Sequence, residues 1–385
     1  MEKMQSIVIN PARVRWDPRL EEAPLPPHPR TRQGLVQVEQ VGICRMDNLF
    51  LSHRTGSPPD PQRWVVGHEM VGRVTASGRE TRRIRAGDWV VPVLRRSCRM
   101  CSSCLANAPD ECTTNLYEEP GLHRAHGWAS QWRVEQEEHL VVVSPAIADI
   151  ALLTEPLALS TKGAQQLSVI QRRTIAYCRH FEHRWDQPHW AKDKHFVVAG
   201  ASPLTVLTAL YLRSLDATVS LYPTQPLPND LAPAITTEKV NIVTPQGDSP
   251  PAEQVDRADG LIDTSGNSAL VASLISAVYT NGVTVFLSPF APAGGRGHDP
   301  ALANMASEAL RRNIVMLPCY RPGRPHLELA VQWLDDARKR RGFPFHLLLD
   351  QASPPDKFAH LAQTLPPWRK GLITWGTTLS GAPAL

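Results

Sequence analysis

His195-Phe-Val-Val-Ala-Gly200-Ala-Ser202-Pro203-Leu204-Thr205 is the stretch that decides the fold class. A short apolar run from His195 suits a buried strand, Gly200 punctuates it, and Leu204 to Leu215 reads as a helix. Strand, glycine turn and helix in this order form the entry to a phosphate-binding fold, which wants G-x-G-x-x-G for a tight turn, close phosphate approach and close helix packing. Only the first glycine of that pattern is present. Ser202 adds a side chain where phosphate would approach the backbone, and Thr205 adds bulk where the helix meets the sheet. Further short apolar runs follow at Thr218-Val-Ser-Leu, Val240-Asn-Ile-Val, Leu261-Ile-Asp and Val283-Thr-Val-Phe-Leu. Strands alternating with helical stretches predict a doubly wound parallel sheet. After the second strand, Leu221-Tyr-Pro-Thr-Gln225 offers no carboxylate for a ribose and no arginine for a 2′-phosphate. If a nicotinamide nucleotide binds, NADP is expected at least as readily as NAD.

Upstream of this region the texture is different. Gly34-Leu-Val-Gln-Val-Glu-Gln-Val, Met70-Val-Gly-Arg-Val-Thr and Gly87-Asp-Trp-Val-Val-Pro-Val alternate apolar with polar residues between glycine and proline turns, as in a compact β-barrel. Beyond Ile314 a helix is expected near His326 to Arg338 and a last strand at Leu372-Ile-Thr-Trp. Residues 166–194, charged and aromatic, are expected to form a connecting helix and loop. The 385 residues suffice for two or three domains; 42% are hydrophobic and 20% charged, as in an ordinary globular enzyme. A dispersed net charge of +4 gives no argument for nucleic-acid binding. No apolar run reaches the roughly 18 residues of a membrane span. The N-terminal stretch lacks the apolar core of a signal peptide, so a cytoplasmic location is expected.

Four cysteines, Cys98, Cys101, Cys104 and Cys112, fall within fifteen residues. Thiolates at C-x-x-C spacing suit a tetrahedral zinc with a closed coordination sphere, which staples a loop rather than performing chemistry. A disulfide cluster finds no other support, since only three more cysteines are scattered along the chain. A second set of donors is spread more widely, in Gly42-Ile-Cys44-Arg-Met-Asp47, Gly67-His68-Glu69 and Thr154-Glu155-Pro156-Leu157. Thiolate, imidazole and carboxylate together can hold a zinc that keeps one position open for water or a substrate oxygen. Cys44, His68 and Glu155 would supply one of each. Glu69 stands beside them as an alternate ligand or supporting carboxylate, and Asp47 would orient the set.

The four-Cys lobe some thirty residues after Gly67-His68-Glu69 resembles that of the zinc-dependent medium-chain alcohol dehydrogenases. Val66-Gly-His-Glu, Glu119-Pro-Gly-Leu, His126-Gly-Trp-Ala, Glu155-Pro-Leu and Arg312-Asn-Ile-Val resemble the glucose dehydrogenase branch of that superfamily, from about Val36 to Trp375. The resemblance implies a GroES-like β-barrel catalytic domain, residues 1–185 and 317–385, with a zinc lobe near 95–115, and a Rossmann domain over 186–316. It implies two zinc ions per chain, NADP or NAD, a small-molecule substrate and a homodimer or homotetramer. It places the nucleotide against Gly200, Ser202, Pro203 and Leu204, and against Thr264 and Ser265 of Asp263-Thr-Ser-Gly266. It also assigns Glu155 as the carboxylate that completes the metal site. The implied activity is hydride transfer between NAD(P) and a sugar, polyol or other secondary alcohol or carbonyl.

The chain departs from that branch at several positions. Met46 replaces the usual threonine or serine, and a thioether cannot relay a proton. Tyr320-Arg321 stands where Val-Asn is usual, and Arg311 where a histidine is expected. Glu119, Arg311 and Arg321 are therefore the substrate-facing candidates, and the two guanidiniums suggest an anionic group on the ligand. The lost relay and missing glycines leave an alternative, a non-redox (lyase-type) or non-catalytic descendant of the same scaffold.

Overall fold

The computed structural model describes residues 3–172, 189–247, 249–290, 299–340 and 342–375. The chain forms two compact units. The first comprises the described residues of Met1–Glu155, Arg321–Arg340 and Phe345–Leu385; the second comprises those of Pro156–Tyr320 and Arg341–Pro344.

The first unit is built on a seven-stranded sheet. Gln33–Ile43 is its organising strand, pairing antiparallel with Glu69–Ser77, Trp132–Gln136 and Lys370–Thr374. Trp89–Pro92 and Leu140–Val143 extend one side, and Leu349–Ser353 lies parallel to Lys370–Thr374 on the other. A three-stranded sheet of Arg19–Pro24, Lys3–Ile9 and Trp64–Val65 accompanies it. Val36 and Val38 turn inward by the period-two pattern, and a register shift between Val38 and Gln40 brings Val41 to the same core, with Met70, Val74 and Val90. Trp16, Phe50 and Trp64 close this core with edge-to-face and tilted rings, centroids 5.0–5.7 Å apart.

Register in this sheet determines what meets at its end. Gly42 lies opposite Glu69 on one side and Leu372 on the other, while Ile43 faces Gly371. Cys44, Glu69 and Lys370 are thus delivered together from three adjacent strands. A Cβ at Gly42 would come within 3.0 Å of Glu69 Oε2, so the glycine admits the carboxylate.

The second unit contains a six-stranded, all-parallel sheet. Counted along the chain from His195–Gly200 to Val315–Pro318, its strands lie in the order 3-2-1-4-5-6 of a Rossmann fold. Helix Pro203–Ser214 follows the first strand, as the opening sequence predicts. From residue 156 onward, helix Thr154–Gln171 also goes with this unit, although the sequence reading grouped it with the barrel. It packs where Gly163 nears Leu287 and where Ser160 Oγ meets Thr208 Oγ1 at 2.8 Å. The connecting segment expected at 166–194 lies partly outside the described residues. Among the described residues no helix is long and apolar enough to cross a membrane.

Candidate metal centres and nucleotide loop

Cys98, Cys101, Cys104 and Cys112 converge, with all four sulfurs within 4.8 Å of one another and none in a disulfide. The short helix Ser102–Leu105 is capped by Cys101 and carries Cys104 inward. Backbone N–H groups donate to sulfur, from Cys98 to Cys104 at 3.4 Å and from Cys101 to Cys98 at 3.5 Å. Thr114 and neighbouring backbone amides hold the Cys98 thiol down to about 5, whereas burial pushes Cys104 up to about 11. Four sulfurs in this arrangement fit a closed tetrahedral zinc.

The second cluster forms at the sheet end. Cys44 caps helix Arg45–His53, its sulfur accepting from the Met46 amide at 3.3 Å. The Cys44 amide donates to Asp47 Oδ2 at 2.9 Å, and the other oxygen of Asp47 lies 3.0 Å from His68 Nδ1. A carboxylate only accepts, so Nδ1 carries the hydrogen. Burial opposes a charged ring, but Asp47 and Cys44 outweigh it and raise His68 well above its ordinary value, so Nε2 would offer a lone pair only once a metal displaces its hydrogen. His68 Nε2 lies 3.4 Å from Cys44 Sγ and 3.3 Å from Glu69 Oε1. Glu69 Oε1 is buried without a hydrogen-bond partner, while Oε2 is bonded by the buried Lys370 ammonium.

Donor atoms of Cys44, His68 and Glu69 all fall within 4.8 Å of one another, a group that does not include Glu155. Glu155 instead lines a cavity of ≈ 10 Å³ together with His68 and Glu69, about the room one water-sized sphere needs. Burial pushes the Cys44 thiol up, and burial with the nearby Glu69 charge raises Glu155. Burial also opposes ionisation of Glu69, but Lys370 outweighs it and holds that carboxyl down to about 2. A buried, ionised carboxylate oxygen without a well-formed hydrogen bond, beside a thiol and an imidazole nitrogen, is a donor set that fits zinc. Lys370, unremarked in the sequence, is the additional residue of this centre.

Of the substrate candidates, Glu119 and Arg321 meet. Both Arg95 Nε and Arg321 Nε donate to Glu119 Oε1, at 2.8 and 3.1 Å, with all three side chains buried. Burial would raise Glu119, but the two guanidiniums bring it below its ordinary value. Arg95 also lies over the Tyr117 ring at 3.9 Å. Arg311 belongs to the second unit, where it ends helix Pro300–Arg311, 70% exposed and paired with Glu308.

The turn from Gly200 to Thr205, the nucleotide loop expected from the sequence, is tied together by side-chain hydroxyls. Gly200 has φ +157, and a Cβ there would stand 2.1 Å from Thr264 Oγ1. Ser202 caps helix Pro203–Ser214, and its amide donates to Thr205 Oγ1 at 3.1 Å. Thr205 Oγ1 pairs with Thr264 Oγ1 at 2.7 Å, and the Thr264 hydroxyl donates to the Ala199 carbonyl at 2.8 Å. Ser265 is tied through its amide and hydroxyl to Asp263 Oδ1. Pro203 has no N–H, so the Leu204 amide is the first of the helix that bonds to no described residue. Helix dipole and open amide still suit a phosphate, though the Ser202 amide is already occupied.

Residues 30–145 match the alcohol dehydrogenase GroES-like domain family. A glucose 1-dehydrogenase from Methanocella arvoryzae is 28% identical over 323 residues, covering 82% of this chain and 84% of that protein. One from Thermoproteus tenax is 27% identical over 353 residues, covering 90% and 92%. Among solved structures, Haloferax mediterranei glucose dehydrogenase in complex with NADP, zinc and gluconolactone superposes with a TM-score of 0.78 at 21% identity, covering 97% of this chain and all of that one. Galactitol-1-phosphate dehydrogenase from Escherichia coli gives a TM-score of 0.74 at 15% identity, covering 96% and 100%.

Proposed function

We propose that this chain is a diverged member of the zinc-dependent medium-chain alcohol dehydrogenase superfamily, on its glucose dehydrogenase branch, and that it transfers hydride between NAD(P) and a sugar, polyol or other secondary alcohol or carbonyl. The observation that carries this reading is the convergence of Cys44, His68 and Glu69 around an orphaned Glu69 oxygen. Zinc held there would act as a Lewis acid on the substrate oxygen and lower the pKa of a bound hydroxyl. Cys44 and His68 would bind it, with the carboxylate coming from Glu69 or, after a shift of its side chain, from Glu155. Asp47 fixes the His68 tautomer and ties it to the Cys44 backbone. Lys370 keeps Glu69 ionised. The second zinc would sit among Cys98, Cys101, Cys104 and Cys112 and support the lobe.

Gly200, Leu204 and the head of helix Pro203–Ser214 would receive the pyrophosphate, with Ser202 contributing its hydroxyl. Thr264 and Ser265 would border the nicotinamide half. With no carboxylate after the second strand, NADP is the favoured form, as in the NADP complex of the Haloferax enzyme. Glu119 and Arg321 border the same set electrostatically, since the Arg321 charge is felt at Glu155, and they are the substrate-facing pair. A cytoplasmic homodimer or homotetramer acting on a small-molecule substrate completes the proposal.

The test combines metal analysis with nicotinamide absorbance. Protein purified without added zinc should carry about two zinc ions per chain, and should reduce NADP with D-glucose or a polyol such as galactitol. His68→Ala should lose one zinc and the activity together. A wild-type protein that holds both zincs yet neither binds NADP nor NAD nor turns over any sugar or polyol would return the chain to the non-redox reading.

A further inference from the structure

The first unit carries a cavity of ≈ 650 Å³ that shares no lining residue with the small cavity beside His68. Its size falls within the range of about 300–1,000 Å³ typical of small-molecule sites. Three indoles, Trp89, Trp132 and Trp375, line it together with Gln40, Gln131 and Glu39. Gln40 Oε1 and Trp375 Nε1 are buried and have no hydrogen-bond partner among the described residues. An acceptor and a donor left in that state destabilise the fold unless something fills them.

From this pairing of indoles with unsatisfied neutral polar groups, we infer that the cavity is a second binding site, for a neutral polyhydroxylated ring such as a pyranose sugar. Indole faces receive the C–H face of such a ring, and hydroxyls both donate and accept, which suits an amide oxygen and an indole N–H with a small side-chain turn. Charge argues in the same direction. The rim guanidinium of Arg338 is already paired with Asp149 at 2.9 Å, so no net positive charge is left to select an anion. Glu39 makes no hydrogen bond among the described residues, and burial raises its carboxyl above the ordinary value despite nearby Arg73, which disfavours a fixed anion for a cationic ligand. The site is independent of the reading given to the metal centre, and a sugar bound here would act as an effector or a holding site.

D-Glucose and maltose are the probes, tetramethylammonium is the cationic competitor, and saturation-transfer NMR with tryptophan emission is the readout. Binding should saturate in the millimolar range and be unchanged in His68→Ala protein. Gln40→Met and Trp375→Phe should each weaken it about fivefold or more. Trp89→Leu, at a half-buried position, repeats the test if either of those fails to fold. The inference is overturned if neither sugar saturates by about 0.1 M, or if tetramethylammonium binds and the sugars do not. It is also overturned if sugar binding disappears in His68→Ala protein and survives all three cavity variants. None of these outcomes bears on hydride transfer at the metal centre, which the activity assay reads separately.

Discussion

The metal end of the barrel and the nucleotide loop of the second unit are held by opposite kinds of interaction. At the barrel end, charges do the holding: Lys370 on Glu69, and Arg95 and Arg321 on Glu119; the same holds further along the sheet, where Arg96 meets Glu135 opposite Gly34. In the Gly200–Thr205 turn, neutral hydroxyls do it, Ser202 to Thr205 to Thr264 to the Ala199 carbonyl. Buried ion pairs are severe when broken, because the remaining partner is stranded, whereas a hydroxyl bond is worth about 1 kcal/mol. The metal end should therefore tolerate little change, and the loop should tolerate drift. The residue record agrees: the Cys44, His68 and Glu69 motifs stand intact while two of three loop glycines are gone.

That contrast can be tested from its strongest side. His68→Ala should lower turnover about a thousandfold or more while leaving nucleotide affinity within a few-fold, measured by steady-state kinetics and calorimetry. Comparable loss of both would mean that the two regions are energetically one. Lys370→Met should follow in size. It strands the Glu69 carboxylate and should destabilise the protein by about 3–5 kcal/mol in denaturant titration. Adding Glu69→Gln should recover part of that loss, and an additive double variant would break the pairing argument.

Acid offers a third comparison. Burial opposes ionisation of Glu135, but Arg96 and the His139 hydrogen bond hold its carboxyl down to about 2, from an ordinary value near 4.5. A depressed carboxyl stabilises the fold above its unfolded value, and the contribution fades as pH falls from about 4.5 toward 2. At neutral pH it amounts to about 3 kcal/mol. Between pH 5 and 3 the wild type should lose stability faster than Glu135→Gln, and parallel melting curves would remove Glu135 from the ionic framework. The smallest effect belongs to the loop. Thr205→Gly deletes two hydroxyl bonds at a cost of about 1–2 kcal/mol and frees the Ser202 amide, so NADP should bind a few-fold tighter. Weaker binding would mean that the hydroxyl chain serves the nucleotide directly.

The ladder of effects also separates what the sequence could disclose from what it could not. Signals carried by neighbours in the chain were readable: the strand–glycine–helix entry at His195 to Thr205, and the C-x-x-C spacing that brings four sulfurs together. The barrel strands are readable through alternation such as that of Val36 and Val38, whereas the register shift that returns Val41 to the core is not. Lys370 was not, because it reaches Glu69 across 301 residues through sheet register, and Lys370-Gly-Leu-Ile contains no local mark of it. The relative nearness of Glu69 and Glu155 also depends on register, since Gly42 admits one carboxylate against the strand. At Thr205 the sequence registers only a lost glycine; the structure adds the bond its hydroxyl makes to Thr264. The division of the compact units at Pro156 is not marked locally either, because the face that helix Thr154–Gln171 presents is chosen by partners such as Thr208 and Leu287.

Asp47 grips the Cys44 backbone with one oxygen and the His68 ring with the other. The thiolate and the imidazole consequently behave as two jaws of one clamp with a single pivot. A laboratory lineage selected to accept a different metal would have difficulty resetting one jaw alone. Its first successful step is expected at the pivot, and substitutions at Asp47 should precede any at Cys44 or His68.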